Sequence, residues 1–331
     1  MQFNRQKTVF VCLLLVLSFV VMSANADTLL LKPDSVIGGS SVTATLTLDR
    51  PPAQDTQFSV SISNAAAAST NNTLRIASGQ RKIEFPITTN PVQSKQRVEI
   101  LVSESGKPIA KADLGILAPE LTSLSLSQIA VVGGTPNGTL HGTVSISGKA
   151  PAGGLTISLG QSCANCGSCA GCNQLVQVPV SIQISGGSQS AAFDIQTHAT
   201  TSQKNFTILA SLGGQTKTAS FELQTLRPQS ITLSPTSVSG TNPTTVTVTL
   251  NAPAYQGYQL GVTCTQALHT ELHGSTCGSH GPINVDFQAG QQTGTFHLNS
   301  VQPLQQPTQV TIQAEAVSIN GSVQAVLTIS P

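Results

Sequence analysis

The sequence predicts an all-β chain of three tandem two-sheet β-sandwiches behind an N-terminal export segment. Three observations carry this. Runs such as SVTATLTL, GTVSISG and TVTVTL alternate apolar and polar residues with period two and are rich in Val, Ile and Thr, the pattern of strands with one buried face. Turn residues recur every 8 to 12 positions or so, the spacing of a sandwich. Finally, the chain repeats itself three times.

The repeat rests on ordered landmarks. Leu31, Leu126 and Leu233 are each followed seven residues later by a glycine: Gly38, Gly133 and Gly240. Pro52-Ala53, Pro151-Ala152 and Pro253-Ala254 come next, each between two alternating runs. Gly79, Gly187 and Gly290 then precede Phe85, Phe193 and Phe296 by six residues, and Val98, Phe206 and Val310 open a later apolar run.

The first 26 residues are of another kind. Arg5 and Lys7 precede an apolar run from Val9 to Met22, and Ala24-Asn25-Ala26 precedes Asp27. This is the layout of a secretory signal peptide cleaved after Ala26, its apolar run too short for a spanning helix. The expected organisation is a signal peptide over 1–26, a divergent first domain over 27–118, a second over 119–225 and a third over 226–331. No stretch of the mature chain is long and apolar enough to span a bilayer, so a secreted, periplasmic or cell-surface protein is expected.

Composition excludes some functions. Without Arg5 and Lys7, 13 basic residues face 14 acidic ones, so no basic field for nucleic acid exists. Residues 27–118 hold 9 basic and 8 acidic groups, and residues 119–331 only 4 and 6. No G-x-S-x-G elbow occurs, and the serines, histidines and acids form no catalytic constellation. A non-enzymatic chain without a cofactor is the expectation.

The segments LSLSQIAVVGG, GTVSISGKAPAGGLTISL, GGSQSAAFDIQT and NFTILASLGGQTKTASFEL resemble the Ig-like, fibronectin III-like repeats of bacterial exported and surface proteins. The resemblance covers most of 119–330 and, more weakly, 28–117. It implies Ig-like sandwiches serving as spacers, adhesion domains or binding platforms, with a protein or cell-surface glycan as partner. The chain lacks Trp, so it departs from the Cys…Trp…Cys core of antibody domains, and no cysteine pair is expected to bridge the two sheets.

Six of the 7 cysteines follow the export segment, an even number in an oxidising compartment. Cys264 and Cys277 stand alone in the third copy and are expected to pair. Between them TQALHTELHGS places Leu268 and Leu272, and His269 and His273, four apart, which predicts one or two helical turns. The second copy carries CANCGSCAGC, residues 163–172. Counted from the Pro-Ala landmarks, its outer cysteines correspond to Cys264 and Cys277. By that analogy Cys163 pairs with Cys172 and Cys166 with Cys169, although four cysteines allow two other connectivities.

Other chemistries fit these residues less well. The run misses the ferredoxin spacing in its last gap and lacks the following proline, and a dithiol catalyst would need a cation or a helix start that the sequence does not offer. The alternative to a stapled contact loop is a metal site using Cys163, Cys166, Cys169, Cys172, His269 and His273. HTELH misplaces its acid for a zincin, and His141, His198 and His297 read as isolated. The candidate contact residues are Asn165, Ser168, His269, His273 and His280, on the loops after the third strands of copies two and three.

Overall fold

The computed structural model describes residues 26–164, 169–272, 276–278, 281–300, 304–316 and 321–331. The export segment lies almost wholly outside this range. The first copy contributes β1 (Thr28–Lys32), β2 (Ser35–Ile37), β3 (Ser41–Thr47), β4 (Thr56–Ile62), β5 (Ala68–Ser69), β6 (Thr73–Ile76), β7 (Lys82–Thr89), β8 (Gln96–Glu104) and β9 (Lys107–Leu117). The second follows with β10 (Leu121–Leu126), β11 (Ala130–Val132), β12 (Leu140–Ile146), β13 (Leu155–Cys163), α1 (Cys169–Leu175), β14 (Val176–Gln177), β15 (Ser181–Ile184), β16 (Ser190–Thr197), β17 (Lys204–Leu212) and β18 (Gln215–Gln224). The third holds β19 (Pro228–Ser234), β20 (Ser237–Ser239), β21 (Thr244–Leu250), β22 (Tyr258–Cys264), β23 (Leu268–His269), β24 (Thr276–Cys277), β25 (Ile283–Phe287), β26 (Thr293–Ser300), β27 (Thr308–Ala316) and β28 (Ser322–Ser330).

These strands form sheets in matching pairs, the arrangement of Ig-like sandwiches. The orders are β1-β3-β7-β5 with β2-β9-β8-β4-β6, β10-β12-β16-β14 with β11-β18-β17-β13-β15, and β19-β21-β26-β23-β24 with β20-β28-β27-β22-β25. The opening strand of each copy is split between its two sheets. Its first part pairs antiparallel with the next strand, as β10 does with β12, and its second runs parallel to the last strand, as in β2 with β9, β11 with β18 and β20 with β28. Contacts divide the chain into two compact units: residues up to Asp34 with Ser41–Thr88 and Val98–Leu114, and Ser35–Ser40 with Thr89–Arg97 and Gly115–Pro331. Copies two and three thus share a unit.

The landmark residues are those that fix the crossings. Gly38, Gly133 and Gly240 each donate a backbone N–H to the last strand of their own copy, at Leu117, Gln224 and Ser330, over 3.0, 3.1 and 2.9 Å. Gly79, Gly187 and Gly290 donate to the Pro-Ala turns, at Pro52, Ala150 and Ala254, over 3.0, 2.8 and 2.8 Å. The last three have φ of 79°, 82° and 85°, a region that favours glycine. In the first and third copies two landmarks far apart in sequence are therefore the two ends of one hydrogen bond, and in the second the acceptor stands one residue before Pro151.

Alternation builds the cores. In the second copy Leu140, Ile157, Ile184, Phe206 and Leu223 are fully buried, drawn from both sheets, and Phe206 stacks on Phe221 at 5.7 Å. In the third, Tyr258 is 4% exposed and its hydroxyl donates to the Leu226 carbonyl at 3.1 Å. Burial, and secondarily Tyr255 beside it, pushes the Tyr258 phenol well above its usual pKa, so it stays a neutral donor. Tyr258→Phe should cost about 1–2 kcal/mol in a urea melt, because the carbonyl is left buried without its donor.

Candidate functional site

In the third copy Cys264 ends β22 and Cys277 ends β24. Their sulfurs are bonded at 2.06 Å, with Cα atoms 5.4 Å apart. Because β22 and β24 belong to opposite sheets, this disulfide is a cross-sheet bridge, contrary to the expectation that no cysteines would take that role. The expected helical turns do not begin at Leu268: Leu268 and His269 are strand, and a 3-10 turn is entered only at Leu272, beyond which 273–275 lie outside the described residues. Leu268 and His269 pair with β24 and with β26, Leu268 opposite Ser300 and His269 opposite Asn299. A two-turn helix is marginal alone, whereas the edge of β26 offers it ladder bonds. Leu268 is 1% exposed and Thr270 0%, while His269 faces solvent: the period is two. Leu272 also packs against this core.

In the second copy Cys163 is disulfide-bonded, so its sulfur is no thiolate ligand and drops out of the alternative metal set. Its partner falls outside the described side chains, as do Asn165, Cys166 and Ser168 and the side chains of Cys169 and Cys172. The backbone of residues 169–175 forms α1, which corrects the expectation of no helix start near these cysteines. Cys169, Cys172 and Leu175 recur every three residues, a spacing that one short helix accommodates, and Leu175 packs on the core.

The register also corrects the alignment of the cysteines. Gln161 pairs with Ile208 and Cys163 with Phe206, whereas Cys264 pairs with Ile312, two residues beyond Val310. Phe206 and Val310 are the matching landmarks, so Cys264 stands where the second copy has Gln161. That glutamine performs the same bridging without covalency: its Nε2 donates to the Val176 carbonyl on the opposite sheet at 2.7 Å and to Asn173 Oδ1 at 2.9 Å. Its Oε1 is buried and has no hydrogen-bond partner among the described residues.

Two histidines taken as isolated have acidic partners. His297 donates its backbone N–H to Glu271 Oε1 at 2.8 Å and places Nδ1 2.9 Å from the same oxygen. His141 Nδ1 lies 2.7 Å from Asp194 Oδ1 on the neighbouring strand. Both pairs are more than half exposed, which limits their contribution to stability. His273 and His280 lie outside the described residues. Among the described residues no group of three His, Cys, Asp or Glu side chains is placed to hold a metal ion, and no helix is long and apolar enough to cross a membrane.

Partial burial raises the Glu271 pKa, but hydrogen bonds from its own backbone and from His297 outweigh it and hold the carboxyl below its ordinary 4.5. A depressed carboxylate stabilises the fold above its unfolded pKa, and the effect is lost as pH falls through the folded value. Urea midpoints taken from about pH 6 down to about pH 3 should therefore fall less steeply in Glu271→Gln than in the native chain. Parallel curves would remove the pair from the acid response.

No family model matches this chain, and no curated protein does. Solved structures overlay on it at low values. A solved chain of the Escherichia coli adhesin FdeC is 17% identical with a TM-score of 0.32, over 92% of this chain and 96% of that solved chain. A solved chain of the Yersinia pseudotuberculosis adhesin InvE is 13% identical with a TM-score of 0.31, over 60% of this chain and 58% of that solved chain. The I-band fragment I67–I69 of titin is 11% identical with a TM-score of 0.25. Scores this low leave the fold to be read from the strand order itself.

Proposed function

We propose that this chain is a non-enzymatic bacterial export that works at a cell surface or in the periplasm as an adhesive or scaffolding element, its signal peptide removed after Ala26. The observation that supports this most is the cross-sheet disulfide under the 265–276 flap. It fixes an exposed segment, His269 and Glu271 included, on a packed sandwich, the situation in which loops recognise partners at small entropic cost. The loop over residues 163–172 is the second contact site, held by Cys163 and by α1. A protein or a surface glycan is the partner class, since the weakly charged modules suit neither nucleic acid nor an anionic membrane.

Labelled chain should bind a panel of cell surfaces or matrix proteins saturably, and replacing residues 265–272 by a Gly-Ser linker should weaken that binding by at least about tenfold, roughly 1.4 kcal/mol. Saturable binding indifferent to both loops would move the site elsewhere, and no binding to any surface would sink the reading. Intact mass with alkylation is the companion measurement: six protected thiols support stapled loops, whereas free thiols with bound zinc or copper would favour the metal alternative.

A further inference from the structure

A cleft of about 450 Å³ opens in the second copy where β13 outruns β15. The register pairs β15 with Leu155 to Ser158 only, while β17 accompanies β13 to Cys163. Past Leu159 the wall of β13 faces the segment that returns from α1 through β14. Gly160 and Gln161 line one side, Asn173 and Gln177 another, and Val178 and Val180 a third. The cleft adjoins the cysteine-rich loop without including it.

The chemistry of this lining is specific. Among the described residues no ionisable side chain lines it, so none of them compensates a charged ligand. The Asn173 and Gln177 amides supply both donors and acceptors, and the valines supply apolar surface, of which Val180 is 85% exposed. Gln161 has committed its Nε2 to Asn173 and Val176, and its Oε1 is buried with no partner among the described residues, so its side chain forms the wall and leaves ligand contacts to the other two amides. Nothing lies within 4 Å of the point where a Cβ on Gly160 would stand, so the floor is open. The size falls in the roughly 300–1,000 Å³ range of small-ligand clefts. An added peptide strand is a poorer fit, because the uncovered run is shorter than the roughly 5–6 residues of an ordinary strand.

We infer that this cleft binds a neutral pyranose residue of a glycan, its hydroxyls on the Asn173 and Gln177 amides and its C–H face on Val178 and Val180. This deepens the proposed function and rests on the chain being an interaction module.

The test is saturation-transfer-difference NMR on the purified chain with methyl glucoside, galactoside, mannoside and N-acetylglucosaminide. N-acetylneuraminic acid serves as the charged ring and a blocked Ala-Val-Ser-Val peptide as the strand probe. At least one neutral ring should bind with a dissociation constant on the order of 1 mM. Gly160→Ala, whose Cβ meets nothing within 4 Å, and Gln177→Ala, on the exposed rim, should each weaken binding by about tenfold or more while leaving the thermal midpoint unchanged. Binding of no neutral ring, binding indifferent to both variants, or preference for the peptide or the acidic sugar would overturn the inference. If no sugar binds while the chain still adheres to surfaces, the cleft assignment falls and the interaction reading stands; if adhesion fails as well, both fall.

Discussion

Replacing Cys264 and Cys277 together by serine should lower the unfolding free energy of the third copy by about 3 kcal/mol, the chain-entropy value for a loop near 15 residues. Geometry raises the stakes beyond loop entropy. The bond joins an edge segment of one sheet to a strand of the other, and Cys277 is wholly buried, so the serine pair also places hydroxyls where sulfur filled the core. Without the bridge, the two-residue strands β23 and β24 retain few ladder bonds and should lose amide-exchange protection before the rest of the sandwich. Denaturant melts of the double variant should show this shift, and reductant, which also opens the Cys163 disulfide, should shift the native chain at least as far. A shift below about 1 kcal/mol would mean that the flap is held by packing of Leu268 and Leu272 instead.

Gly133→Ala should cost about 2–3 kcal/mol despite adding one methyl group. A Cβ there would stand 2.3 Å from the His198 carbonyl oxygen and 2.9 Å from Leu223 Cδ1. The first obstacle is backbone, so the crossing strand itself must move and strain the bond from Gly133 N–H to Gln224. Gly240 provides the contrast. Its Cβ would meet nothing within 4 Å, but its φ of 59° makes alanine strained, so Gly240→Ala should cost only about 1–2 kcal/mol. Equal losses in thermal or chemical melts would contradict a steric origin at Gly133.

Much of this architecture was legible because the signals are local or repeated. Strand alternation follows from one buried face, and Gly79, Gly187 and Gly290 stand out because a left-handed turn accepts little else. What escaped was set by long-range pairing. Counting from the prolines misaligned Cys163 with Cys264, because the turn before the strand is one residue longer in the third copy; only the pairing with β17 and β27 shows that Gln161 is the match. Leu268 looks helical until β26 offers its edge. Glu271 meets His297 across 26 residues for the same reason, and α1 is too short to announce itself among small residues.

The parallel pairing of β2 with β9, β11 with β18 and β20 with β28 has a mechanical consequence. Each pair joins the opening of a copy to its last strand. A pull on the two chain ends of such a sandwich therefore runs along both strands in opposite senses and loads their hydrogen bonds together, in shear, instead of peeling them off singly. A tether assembled from such units resists tension at the point where each one begins and ends.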